Sequence, residues 1–536
     1  MRSPISWWEH GGQGGSAAST HDRGKKLLAN LLQMPADEFV RDHWLQRPLL
    51  CRCKVSPIPA SHPANMLPLA EVRALVHRKK PRRARFLHDV DVTKYINGKR
   101  QALSEGNEEV KPAAVWSAFE ERGYSIRLVH PQQWHQASYE LCSVLQEFFG
   151  FPVGCAAYLT PAGTQGFPPH YDDVEVFVLQ LEGTKAWRLY DRPDTKTRPA
   201  ADTTTECSGA SLGEPTAEIT LKKGDLLYLP RGVVHQALAQ SDGHSLHLTF
   251  STYQRHTWRD LLADPAVSHL LSSRATARLA ALREEDDDPN GDGCVLKGDR
   301  LLDALPLDLL AHNTAGSPGA GWSACAMHLT PPRIPFWLTS ELWVDGTLGA
   351  AIDARALFFL KHSLPPWQPT EAEEAAVRGA PAAESDTTPA VLLDDGSEEE
   401  ALHDGSWLRA CAPYCARLVD GAGTNGDFSS WESGETTPEL ALHTNVQNGR
   451  SFAESPSPAF EVLPHLARSV VALLEAGCEK GLEVGKLPAA CGSDEEARAD
   501  LYDLLELLVE QKVLMRMVNP GAVAAKKKKR RREREG

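Results

Sequence analysis

Pro168-Pro169-His170-Tyr171-Asp172-Asp173 is followed, 65 residues on from its histidine, by His235 in Leu229-Pro230-Arg231-Gly232-Val233-Val234-His235. Two residues spaced i, i+2 on a β-strand point to the same face, so His170 and Asp172 offer an imidazole and a carboxylate to one metal ion. His235, from a second strand, completes a two-histidine, one-carboxylate facial triad. Such a set leaves positions on Fe(II) open for a cosubstrate and for O2, and open positions point to catalysis rather than structure. The dyad alone is weak in a chain with 20 histidines, so its surroundings decide.

Those surroundings are strands. Val174 to Gln180 is an apolar, β-branched run; Glu182-Gly183-Thr184 is a turn; Thr184 to Tyr190 follows as the next strand. Ala217–Leu221, Leu226–Leu229, Val234–Ala239 and His244–Tyr253 continue a series of short segments punctuated by Gly, Pro and Asp. The fold class expected is therefore mainly β, a jelly roll, with flanking helices. Helical periodicity at Leu28–Trp44 and Trp134–Phe149 supplies helices to cover one sheet. Lys185 is an independent check. It lies on the strand after the metal dyad, on the same face as Trp187, where a cation pairs with the distal carboxylate of 2-oxoglutarate while the 2-oxo acid end chelates iron. The rival reading is a lysine that protects a sheet edge.

Taken together, Pro169-His170-Tyr171-Asp172-Asp173, Leu179-Gln180-Leu181-Glu182-Gly183, Gly224-Asp225-Leu226-Leu227-Tyr228, Pro230-Arg231-Gly232 and Ser245-Leu246-His247-Leu248-Thr249 resemble the JmjC-type ribosomal oxygenases. The likeness is nearest to the nucleolar branch that combines histidyl hydroxylation with histone lysine demethylation. It runs from about Leu28 to Tyr253 and resumes near Leu442-His443-Thr444-Asn445-Val446-Gln447-Asn448. It implies a JmjC double-stranded β-helix and an enzyme that uses Fe(II), with 2-oxoglutarate and O2 as cosubstrates, to hydroxylate a histidine of a large-subunit ribosomal protein. By the same likeness His170, Asp172 and His235 hold the iron, Lys185 binds the 2-oxoglutarate carboxylate, and Tyr158 and Ser251 lie near the cosubstrate. One position departs: where close relatives have asparagine two residues before Tyr158, this chain has Ala156.

At 536 residues the chain is long enough for two to four domains. The reading divides it into a flexible N-terminus (1–27), a JmjC catalytic domain (28–255), a helical dimerisation region (256–350), a winged-helix domain (351–518) with a disordered insertion near 366–406, and a basic tail (519–536). The dimer and the winged helix come from the resemblance. The formal charge of −14 conceals the run Lys526–Arg534, eight basic residues with one glutamate. That run reads as a nuclear or nucleolar address that also suits RNA. A second basic cluster, His77–Arg85, reads equally as a solvated loop. The 11 cysteines show no paired zinc-site spacing, which favours free thiols in a reducing compartment. No stretch has the length and apolarity of a membrane helix.

Two motifs fail on context. Gly421-Ala422-Gly423-Thr424-Asn425-Gly426 does not open a helix, and the acidic turn at Asp286-Asp287-Asp288 has Lys297 where an EF-hand needs glutamate. A sequence-specific DNA reader is the rival from another class, but the candidate helix Gly492–Leu507 carries Asp494, Glu495, Glu496, Asp500, Asp503 and Glu506 against one Arg498, and acidic side chains repel phosphate. A catalytically dead assembly scaffold has no use for an intact triad. Within the enzyme class the triad does not separate histidyl hydroxylation from demethylation of methyl-lysine, which makes histone H3 the alternative partner.

Overall fold

The computed structural model describes residues 20–56, 58–59, 62–172, 174–190, 205–206, 212–252, 357, 359–366, 401–411, 415–420, 440–450, 459–491 and 494–517. The chain separates into two compact units, one built on residues 20–254 and the other on most of the chain beyond. The proposed dimerisation helices, the glycine motif at 421–426 and the basic tail lie outside the described residues.

The first unit places an eight-stranded antiparallel sheet against a five-stranded one. Its strands are β1 (Leu49–Cys51), β2 (Val90–Ile96), β3 (Lys99–Ala102), β4 (Ser125–Val129), β5 (Val153–Thr160), β6 (His170–Tyr171), β7 (Glu175–Glu182), β8 (Thr184–Tyr190), β9 (Thr205–Glu206), β10 (Ala217–Lys222), β11 (Leu226–Leu229), β12 (Val234–Ala239) and β13 (Ser245–Thr252). The large sheet runs β1-β11-β7-β13-β5-β4-β2-β3 and the small one β10-β8-β12-β6-β9. From β5 to β8 the chain alternates between the sheets, and from β10 to β13 it does so again. That alternation is the double-stranded β-helix expected from the short, turn-punctuated strands. The β7-to-β8 crossing requires Gly183: its φ is +63°, and a Cβ there would stand 1.9 Å from the His244 carbonyl oxygen.

Strand β7 shows why an uninterrupted apolar run sits here. Phe177 faces outward against Phe39, Trp44, Phe149 and Tyr228, with ring centroids 4.9–6.4 Å apart. Val176 and Val178 face inward, where they join Trp187, Leu189, Leu221, Leu227 and Leu229 in the core between the sheets. Both faces are covered, so period-2 alternation of polarity disappears. The outer cover consists of α1 (Thr20–Leu32), α2 (Ala36–Asp42) and α5 (Gln136–Phe149); α3 (Leu69–His77) and α4 (Pro112–Arg122) complete the helices of this unit. Buried Glu175 accepts from the Tyr228 hydroxyl and from the Arg231 backbone N–H at 3.1 Å, and Tyr228 in turn accepts from the Leu45 N–H at 2.9 Å.

The structure corrects several boundaries. The first helix starts at Thr20 and buries Leu27 completely, so the flexible N-terminus does not extend to 27; the periodic reading of Leu28–Trp44 as one helix is broken at Pro35. Two arginines of the basic cluster are engaged internally: Arg78, whose side chain is 9% exposed, and the partly exposed Arg82 both pair with buried Asp89. Burial raises the Asp89 carboxyl, but hydrogen bonds from Arg82, the Arg85 N–H and His88, with the charge of Arg78, hold it at about 2.

The second unit carries two three-stranded antiparallel sheets, ordered β18-β14-β19 and β15-β16-β17. The strands are β14 (Trp407–Ala410), β15 (Ala416–Asp420), β16 (Leu440–Thr444), β17 (Ala459–Val462), β18 (Leu482–Glu483) and β19 (Leu514–Met517), with helices α6 (Ala467–Lys480), α7 (Pro488–Cys491) and α8 (Glu495–Glu510). Helix α6 begins at Ala467, after β17 and a 3-10 turn at Pro464. Leu402 belongs to this unit's core, so the proposed insertion stops short of 406. Asn445 and Asn448, from the motif that resumed the resemblance, donate to the Ser363 hydroxyl and carbonyl at 2.8 Å; their role is structural. Helix α8 is capped by Asp494 and buries Leu501, Leu504, Leu505 and Leu508, which leaves its carboxylates outward.

Candidate active site

His170 on β6 and His235 on β12 are cross-strand partners in the small sheet, with ring centroids 4.5 Å apart. Each ring is oriented by its own backbone: His170 Nδ1 lies 2.8 Å from the Pro168 carbonyl and His235 Nδ1 lies 3.0 Å from the Val233 carbonyl. Donation from Nδ1 leaves the Nε2 lone pair of each ring for a metal. Asp172 completes the group one residue beyond the end of β6. It is therefore not the i+2 residue of a continuous strand; its place is fixed by the Gly232 N–H, which donates to the Asp172 carbonyl at 2.9 Å. The carboxylate oxygens stand 3.9 Å from His170 Nε2 and 3.7 Å from His235 Nε2, outside hydrogen-bonding range. One donor atom from each residue lies within 4.8 Å of the others. Burial, then the neighbouring His170, pushes His235 down to about 4, so it is a neutral imidazole at physiological pH. Two imidazoles and a carboxylate that are separated yet face one point fit a divalent cation.

Lys185 occupies the interior of the same sheet, on β8 beside Trp187, as its alternation required. It is 5% exposed, and its Nζ donates to the Thr160 hydroxyl at 3.0 Å. Burial pushes the amine down to about 7. The edge-strand alternative is overturned, since β8 lies between β10 and β12. A buried cation held by a single hydroxyl can take an anionic ligand.

Tyr158 and Ser251 both lie on the inner face of the large sheet. Tyr158 stacks on His247, with centroids 4.9 Å apart, and takes a hydrogen bond from Arg127; burial raises its phenol against that cation. Ser251 pairs with Gly154 and Val176, four residues along the same face of β13 from His247. Ala156 pairs with Thr249. Sequence reasoning assigned no role to Thr160, His247 or Arg127. Thr160 is two residues from Tyr158 on β5, so the strand period held a signal for it. His247 stood inside a motif already singled out. Arg127 needed the fold: β4 brings it beside Tyr158, and its charge is felt by both Asp91 and Asp172.

Comparison with known proteins agrees with this geometry. Residues 127–261 match the JmjC domain family. Human ribosomal oxygenase 1 is 32% identical over 504 residues, which cover 93% of this chain and 69% of that protein. The Dictyostelium discoideum bifunctional lysine-specific demethylase and histidyl-hydroxylase NO66 is 49% identical over 179 residues, 33% of this chain and 34% of its own length. Among solved structures, the Escherichia coli ribosomal oxygenase YcfD aligns over 90% of this chain and 98% of its own at 15% identity, with a TM-score of 0.39. This chain is a member of the ribosomal oxygenase family, JmjC enzymes that use Fe(II) and 2-oxoglutarate.

Proposed function

We propose that this protein hydroxylates a histidine side chain of a large-subunit ribosomal protein, with His170, Asp172 and His235 holding the iron and Lys185 binding the distal carboxylate of 2-oxoglutarate. The observation that carries the site assignment is the convergence of two free Nε2 lone pairs and one carboxylate in the same barrel interior as a buried, weakly held lysine. The substrate class is supported by the relatives, whose names are ribosomal oxygenase and histidyl-hydroxylase. Fe(II), when bound with 2-oxoglutarate and O2, supplies the oxidation that replaces a C–H hydrogen by hydroxyl and yields succinate and CO2.

The chain's own residues set orientation. Backbone carbonyls keep both imidazoles turned with Nε2 inward, so the metal site is formed before any ligand arrives. The Lys185 ammonium fixes which end of the dicarboxylate reaches the triad. Tyr158 and Ser251 border the cosubstrate on the opposite sheet. The nucleus, and within it the nucleolus, is the compartment that the Lys526–Arg534 run supports, since ribosomes are assembled there. The region 256–350 is proposed as the contact of a homodimer. The outward carboxylates of α8 support protein contact rather than sequence-specific DNA binding.

Mass spectrometry of ribosomes from cells with and without the protein tests the reading. One histidine of a large-subunit protein is expected to carry one extra oxygen atom only when the protein is present. Unmodified ribosomal histidines, together with methyl-lysine accumulating on histone H3 after deletion, would replace histidyl hydroxylation by demethylation. No change in either would favour a non-catalytic scaffold. Among the described residues no helix is long and apolar enough to cross a membrane.

A further inference from the structure

Around Lys185 the barrel interior holds polar atoms that the fold leaves unsatisfied. His247 is 3% exposed and Trp187 is 4% exposed, and neither His247 Nδ1 nor Trp187 Nε1 has a hydrogen-bond partner. A buried N–H without an acceptor is costly, and such atoms mark places where a ligand or an ordered water completes the structure. The two rings come from opposite sheets and meet edge to face with centroids 5.5 Å apart. The Trp187 ring also lies 5.8 Å from that of His235. Trp187, which shares a face of β8 with Lys185, thus brings His247 close to both the lysine and the triad. Burial, with the Lys185 ammonium close by, holds the imidazole towards its uncharged form, in which one ring nitrogen carries a hydrogen.

Indole N–H and ammonium are donors only, the Thr160 hydroxyl already accepts from Lys185, and a neutral imidazole offers one N–H. A carboxylate, with acceptors alone, answers such a set better than a water, which brings two hydrogens of its own. We infer that His247 and Trp187 donate hydrogen bonds to the dicarboxylate cosubstrate as it runs from the triad to Lys185, and that with Lys185 they select a dicarboxylate of that length. This rests on the Fe(II) and 2-oxoglutarate reading above.

Anaerobic calorimetry of the full-length, Fe(II)-loaded protein titrated with 2-oxoglutarate tests it. Trp187→Phe and His247→Phe are each expected to raise the Kd on the order of tenfold, with Fe(II) affinity and Tm held, because each removes one N–H from a ring of similar shape. His247→Asn, whose amide keeps a donor near the position of Nδ1, is expected to recover most of the affinity. A purely structural role would lower Tm and Fe(II) affinity together and would not be rescued by Asn. Should His247→Phe fail to fold, Trp187→Phe decides alone. Parent and variants binding 2-oxoglutarate equally overturn the inference. A parent that binds Fe(II) but no 2-oxoglutarate instead removes the reading on which it rests.

Discussion

The triad end and the lysine end of one barrel interior differ in how their polar groups are satisfied before any ligand arrives. At the triad, each imidazole has a backbone carbonyl for its Nδ1, and Asp172 is fixed through its own carbonyl by the Gly232 N–H. At the other end, Lys185 donates to the Thr160 hydroxyl, and His247 Nδ1 and Trp187 Nε1 have no hydrogen-bond partner among the described residues. The first end is pre-organised by local backbone and needs little from its ligand; the second stores unmet hydrogen bonds that a bound anion can complete. A metal site therefore survives loss of the cosubstrate, while the cosubstrate pocket depends on a ligand for its own polar balance.

Removing the triad has the largest expected effect. His170→Ala, Asp172→Ala and His235→Ala should each take succinate production below detection while circular dichroism and Tm stay close to the parent, since none of the three is part of the apolar core. Activity persisting in any of them contradicts the assignment.

Lys185→Ala comes next. It removes a charge-assisted bond of about 1.5–3 kcal/mol, which corresponds to a roughly 10- to 150-fold higher Kd for 2-oxoglutarate with Fe(II) binding intact. An unchanged Kd would mean that the lysine faces no ligand.

The pH dependence of binding sharpens the contrast between the two ends. The folded lysine sits at about 7 against 10.5 for the free side chain, so the ligand-free protein loses the ammonium as pH rises through 7. Because the distal carboxylate needs that ammonium, 2-oxoglutarate should bind about fivefold more weakly at pH 8 than at pH 7, and Lys185→Ala should flatten the slope. Stability moves the other way: between 7 and 10.5 the unfolded chain binds the extra proton, so the ligand-free protein gains stability with rising pH across that window. A calorimetric series and thermal melts measure the two trends separately.

Thr160→Val is the smallest of these effects. It deletes the Thr160 hydroxyl that takes the Lys185 Nζ hydrogen bond while keeping the side chain's shape, and about 1 kcal/mol, or fivefold in Kd, is expected. An effect as large as that of Lys185→Ala would show that Thr160 contacts the ligand directly.

Much of this site was legible from spacing. Strand alternation placed Lys185 beside Trp187, and the short strands gave the two-sheet barrel. Asp172 was found for a reason that is only partly right: β6 ends at Tyr171, and a contact to Gly232, sixty residues away in sequence, does the positioning. Long-range partners of that kind carry no local signal. The basic cluster shows the same limit, because one buried carboxylate, Asp89, takes Arg78 and Arg82 out of the surface charge that the sequence displays. A helix start is hidden where polar residues precede an apolar face, as at Thr20. His247 was quoted as part of a motif but given no role, since its meaning depends on Trp187 arriving from the other sheet.

The most direct measurement is an anomalous-scattering map of crystals soaked anaerobically with Mn(II) as a redox-inert substitute for Fe(II). One peak per chain is expected, within bonding distance of His170 Nε2, the Asp172 carboxylate and His235 Nε2, and absent from His235→Ala crystals. A map without a peak there, or with the metal held by other residues, would contradict the assignment of this site.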